Sequence, residues 1–189
     1  MHRDEGETSL AATANRDAQA SSLRQFPKFT ASDKIAEMNK IVAGTLAGLT
    51  ATAPMTAAMI AMHKALPAHE RYPLPPRKVT MRAARKAGVK KTLRDEDEKT
   101  AATLAAHFGY GAAMGGIFAL VAPRVPGRPL AKGIGWGLMV WATSYLGLLP
   151  ATGLHEPATR HPRERNLLMI FAHIVWGGSL GLLLSKRVR

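Results

Sequence analysis

Four stretches of this 189-residue chain contain no Asp, Glu, Lys or Arg: 41–62, 101–122, 134–149 and 167–184. As α-helices rising ~1.5 Å per residue they reach roughly 33, 33, 24 and 27 Å, against a bilayer hydrocarbon core of about 30 Å. A water-soluble domain needs a polar face on most of its helices, and four such runs leave too little of one. The expected fold class is therefore all-α: a polytopic membrane protein, a four-transmembrane-helix bundle. The third run is short, so Leu130 and Ala131 are expected to lengthen it while Lys132 reaches back to the interface. This gives spans of about 41–62, 101–122, 132–150 and 167–184 within a membrane domain at 32–189. The mean hydropathy of -0.05 conceals the spans because strongly polar connections are averaged with them.

Those connections are basic, and the formal net charge is +13. Residues 1–31 are polar, poor in large apolar side chains and without a signal-peptide core, which predicts a disordered tail followed by a first span that targets itself. Thr30-x-x-Asp33 and Thr92-x-x-Asp95 have capping-box spacing ahead of the first two spans. Inside the first, Pro54 cannot donate a backbone hydrogen bond, which predicts a kink with the Thr50 carbonyl freed for a Thr52 or Thr56 hydroxyl. Between them, Tyr72-Pro73-Leu74-Pro75-Pro76-Arg77 reads as an extended stretch. Residues 77–94 then carry eight Lys or Arg and no acid, a solvated face suited to lipid head groups. They lack interleaved aromatics or a nucleic-acid motif, so the expected partner is the lipid bilayer, with a second copy or another membrane protein possible and no nucleic acid.

A second pattern sits inside the spans. Ala106-His107-x-x-Tyr110-Gly111-x-x-x-Gly115 recurs as Ala172-His173-x-x-Trp176-Gly177-x-x-x-Gly181, placing a histidine and two glycines on one helical face. Every span carries G-x-x-x-G, at Gly44/Gly48, Gly111/Gly115, Gly133/Gly137 and Gly177/Gly181. Small residues four apart let helix backbones approach closely in lipid, so these eight are the expected packing positions. His107 and His173 lie at equal depth in parallel spans and should turn inward with the glycines, sharing a polar patch with Tyr110 and Trp176. An intramembrane imidazole is costly and points to a functional site. Three readings stay open: a hydrogen bond across the bundle; a divalent transition-metal site using His107 and His173 with His63, His155 or Glu156; and bis-histidine haem ligation. A small-solute or proton pathway would use the same residues. No cofactor at all is the simplest expectation.

Cysteine is absent, no span holds a carboxylate, and no G-x-S-x-G, P-loop or His-Glu-x-x-His is present. The chain is therefore expected to lack catalytic residues and to be non-enzymatic. Ala43-Gly44 to Ala47-Gly48, Leu74-Pro75-Pro76-Arg77, Gly147-Leu148-Leu149-Pro150, and Asn166 leading to His173-Ile174-Val175-Trp176 together resemble the YagU-like group of uncharacterised bacterial inner-membrane proteins. The resemblance implies a small multi-pass inner-membrane protein and carries over no catalytic residue. Lys and Arg divide almost evenly between the two sides, 12 with the termini against 14 opposite. The positive-inside rule is indecisive at that ratio. The polar tail and Lys186-Arg187-Val188-Arg189 then favour cytoplasmic termini.

Overall fold

The computed structural model describes residues 30–89 and 93–187. The expectation for the tail therefore lies almost wholly outside the described residues, as does Thr92. The chain divides into Met1–Ala36 and Glu37–Arg189. Within the first unit, Thr30 N donates to Asp33 Oδ2 at 2.9 Å and Asp33 N to Thr30 Oγ1 at 3.2 Å, the reciprocal cap expected at this helix start.

The described residues form five main helices: α1 (Ala31–Ala65), α2 (Pro75–Lys86), α3 (Glu96–Val121), α4 (Pro129–Ala142) and α5 (Arg163–Arg187). A π-helical turn at Thr143–Leu148 continues α4 into Leu149–Ala151. No strand occurs among the described residues. Four segments are long and apolar enough to cross a membrane: Ala31–Ala65, Glu96–Arg124, Pro129–Ala151 and Arg163–Ser185. Each is longer than its charge-free run, because charged and capping residues extend helices beyond the hydrocarbon.

Three local expectations are corrected. The stretch from Pro75 is helical rather than extended: Pro75 and Pro76 occupy its first turn, where the missing N–H groups have no intrahelical partner to lose and the fixed φ suits a helix. The second cap is Asp95, three residues later than the Thr92 spacing suggested. Its Oδ1 accepts from Glu98 N at 2.7 Å while Glu98 Oε2 accepts from Arg94 N at 2.5 Å. Around Pro54, which lies inside a continuous α1, the hydroxyls of Thr52 and Thr56 donate to the carbonyls of Gly48 and Thr52, not to that of Thr50. A hydroxyl reaches the carbonyl one turn back on its own face, and neither threonine is four residues beyond Thr50.

The glycines build the second unit as two antiparallel helix pairs. A Cβ placed on Gly44 or Gly48 would run into backbone atoms of Gly115 or Gly111, and one on Gly133 or Gly137 into those of Gly177 or His173. So α1 lies directly on α3, and α4 on α5, at separations that only glycine permits and that also bring Cα–H groups onto facing carbonyls. The pairs join through larger side chains. Trp176 Nε1 on α5 donates to Gly48 O on α1 at 3.3 Å, Trp136 Nε1 on α4 donates to Met114 O on α3 at 3.2 Å, and Phe118 stacks on Trp136. The core is Ala51, Met55, Met59, Val140, Leu168, Ala172, Trp176 and Leu180.

Candidate functional site

The bulky joints between the pairs leave a gap, a cavity of about 310 Å³. His107, Tyr110, Gly111 and Met114 of α3 line it, as do Val140, Ser144, Tyr145 and Leu148 of α4 and its π-helical continuation, Met169, His173 and Trp176 of α5, and Thr52 and Met55 of α1. Pro76, Val79 and Thr80 of α2 complete the wall. The two histidines with Tyr110 and Trp176 thus open on one space, since each shares a helical face with glycines that must turn inward to pack.

His173 is buried, and its Nδ1–H donates to Met169 O at 2.7 Å, which fixes the tautomer and leaves Nε2 as an acceptor. His107 is half-buried, and its Nε2 is enclosed without a hydrogen-bond partner. Tyr110 Oη and Ser144 Oγ are hydrogen-bonded at 2.8 Å, tying α3 to α4. Ser144 and Tyr145, both buried, are adjacent in sequence and both line the cavity. The π-helical turn accounts for that: its extra residue per turn shifts the register, a distortion common at functional sites.

The other candidate ligands lie elsewhere. His155 is buried with its Nδ1 3.2 Å from His161 Nε2, and its ring meets Tyr145 edge-on at 5.9 Å. Tyr145 in turn meets His173 edge-on at 6.0 Å, forming the wall between the cavity and a water-sized cleft that His155, His161 and Arg165 line. His63 closes α1 with a buried, unpartnered Nδ1, Glu156 is exposed, and neither lines the cavity. Among the described residues no three His, Asp or Glu side chains converge for a metal.

The His155–His161 pair sets an acid sensitivity outside the spans. Burial, then the positive charge of His161, Lys78 and Arg82, pushes His155 down to about 4, and burial also lowers His161 against the opposing pull of Glu156. Between that value and the ordinary histidine pKa of about 6.5 the unfolded chain binds more protons than the folded one, so stability falls as pH falls through this window. We expect the melting temperature to drop from pH 6.5 to pH 4 and the His155→Phe variant to drop less; parallel curves would refute this.

Ser144 and Tyr145 escaped the sequence reading, and so did a buried cation. Arg165, on the first turn of α5, is 5% exposed. It donates to the carbonyls of Glu70 at 2.6 Å, Tyr72 at 3.2 Å and Pro73 at 3.3 Å, and it stacks on the Tyr72 ring 3.7 Å from the centroid. Lys78 lies over the same ring at 4.1 Å. A cation in the first turn opposes the helix dipole, and that was the one available signal. Beyond the far end of α4, Gly153 takes a left-handed φ of +64°. Leu154 N and His155 N both return to Leu149 O, which folds Leu154 over the cavity and His155 inward.

Fold and site together define an all-α, four-span helical membrane protein with a histidine-lined cavity between two glycine-packed helix pairs. The chain belongs to the family described as "Protein of unknown function (DUF1440)", whose model matches residues 67–181, more than half of its length. The match covers α2, α3, α4 and most of α5, leaving outside it the α1 residues Thr52 and Met55 that complete the cavity. No curated protein and no solved structure matches the chain.

Proposed function

We propose that this is a non-enzymatic multi-pass protein of the bacterial inner membrane, of the YagU-like group, with both termini in the cytoplasm, and that it holds a small, mostly apolar molecule in its cavity. The observation that carries the reading is a mostly apolar space lined by both His107 and His173, where the buried His173 commits its Nδ1–H to Met169 O and keeps Nε2 as an acceptor. A buried polar atom without a partner is costly, and an occupant able to hydrogen-bond relieves the cost. Mostly apolar walls with a few converging polar groups are the usual build of a small-molecule site. The Ser144 hydroxyl is bonded to Tyr110 rather than to an imidazole, which supports a binding role over nucleophilic chemistry.

The metal and haem alternatives are less well supported. The cavity wall offers two imidazoles and no carboxylate, fewer ligands than the three or four zinc takes. Its volume is at the lower end of the ~300–1,000 Å³ range of small-molecule pockets, too small for a porphyrin. The test follows tryptophan fluorescence of the full chain, in which Trp176 alone of the three tryptophans lines the cavity, with bromobenzene as a neutral quencher in detergent. Saturable quenching that Ala106→Phe, which fills the cavity wall, weakens at least fivefold is the expected result. Quenching that rises linearly and equally in both proteins would overturn the reading.

A further inference from the structure

We propose that the occupant is a single-chain amphiphile with an acidic head group, admitted sideways from the bilayer through a doorway between α3 and α4; this rests on the binding reading above. The cavity opens where α3 and α4 face the lipid. Ala106, Tyr110 and Leu148 line it and are also exposed, Tyr110 by 40% and Leu148 by 54%, and all three lie within spans. A mouth at that depth meets hydrocarbon rather than water, so a molecule already dissolved in the bilayer reaches it without crossing an aqueous phase. The Tyr110–Ser144 hydrogen bond crosses this opening, and the π-helical turn forms the post that carries Ser144.

Above the doorway lies α2. At one end Arg77 is bonded to Glu96 and Thr100 at the start of α3. Along the other flank Arg82 donates to Leu154 O at 3.4 Å and Lys86 to Thr152 O at 2.5 Å, beyond the end of α4. The helix therefore bridges the gap as a lintel, with Val79 and Thr80 closing the cavity beneath it. It carries five Lys or Arg and no acid. Arg77 is paired with a carboxylate, but Arg82 and Lys86 bond only carbonyl oxygens among the described residues, so their charge stays uncompensated beside Leu154, a cavity residue. Lysine has three donors and arginine five, so both keep free N–H groups for an anion. A chain lying between α3 and α4 thus ends in apolar walls and two imidazoles, while its head lies at the level of unneutralised cations. Charge-assisted hydrogen bonds there select an acidic head over a neutral one.

The test compares 12-bromododecanoic acid with its methyl ester as quenchers of tryptophan fluorescence in the full chain, in neutral detergent, at matched micellar mole fractions. The acid is expected to quench saturably at a concentration at least tenfold below the ester. The Arg82→Gln/Lys86→Gln variant should reduce that preference to less than threefold while leaving saturable bromobenzene quenching intact, which also reports that it is folded. Equal quenching by acid and ester in the unaltered protein, with bromobenzene still saturable, would overturn the acidic-amphiphile assignment and leave the binding reading standing. Absence of saturation with all three quenchers would overturn both.

Discussion

Gly177→Leu is expected to separate α4 from α5, at a cost of roughly 3 kcal/mol or more, the upper end of what overpacking does in a well-packed interior. A Cβ at Gly177 would fall on the carbonyl group of Gly133, with the Cα of Gly137 only 3.1 Å away. Those are backbone atoms of a neighbouring helix and cannot swing aside as a side-chain end would. Gly177→Ala should already lower stability, and leucine more. Gly135→Leu supplies the contrast on the same helix pair. Nothing lies within 4 Å of a Cβ there, so the change should stay within about 0.5 kcal/mol. Thermal unfolding of the four proteins in detergent, with cysteine crosslinking between α4 and α5, measures both. Equal losses at positions 135 and 177 would contradict the packing geometry.

Arg165→Met is expected to be nearly as damaging, by about 3 kcal/mol, though the change keeps an unbranched side chain. Three backbone carbonyls, of Glu70, Tyr72 and Pro73, would lose their donor, and an unsatisfied buried polar group costs ~1–3 kcal/mol. Arg165→Lys should recover little. An ammonium cannot present a planar fork to separate carbonyls while stacking on Tyr72. The loss should be concentrated in residues 67–74, read as faster amide exchange there than in α3 or α5. Unchanged exchange in Arg165→Met would show that the connection is held by other means.

Much of the fold was legible because the bilayer leaves few choices. A charge-free run long enough to cross hydrocarbon must satisfy its own backbone groups, and a helix does so within one segment. The four helices, the cap at Thr30 and the inward glycine face all stem from local composition and a 3.6-residue period. The helix at Pro75 was not legible in this way, because two prolines signal both an extended stretch and a helix start, and the contacts of residues 77–86 with α3 and the end of α4 decide between them. The start of α3 was ambiguous for a similar reason: Thr92-x-x-Asp95 and Asp95-x-x-Glu98 both match capping-box spacing, and the helix begins after Asp95.

What the sequence by itself determined is the list of elements and the residues each must hide: four spans, eight interlocking glycines, and His107 and His173 on glycine faces. Which face meets which was decided only by tertiary structure. G-x-x-x-G is the same signal in every span, so no local property says that Gly48 meets Gly111 and Gly137 meets Gly177 rather than the reverse. The cavity is a consequence of that choice. Glycine contacts hold the helices of each pair at minimal separation, while Trp136, Trp176 and Phe118 hold the two pairs apart, and the difference in spacing is the empty volume between them. Arg165 and the His155–His161 pair were hidden for the same reason. A charged or titratable residue in a polar connection is ordinarily solvated, and only the path of residues 66–74 and 152–162 over the bundle end buries Arg165 and His155 and sets His161 against the latter.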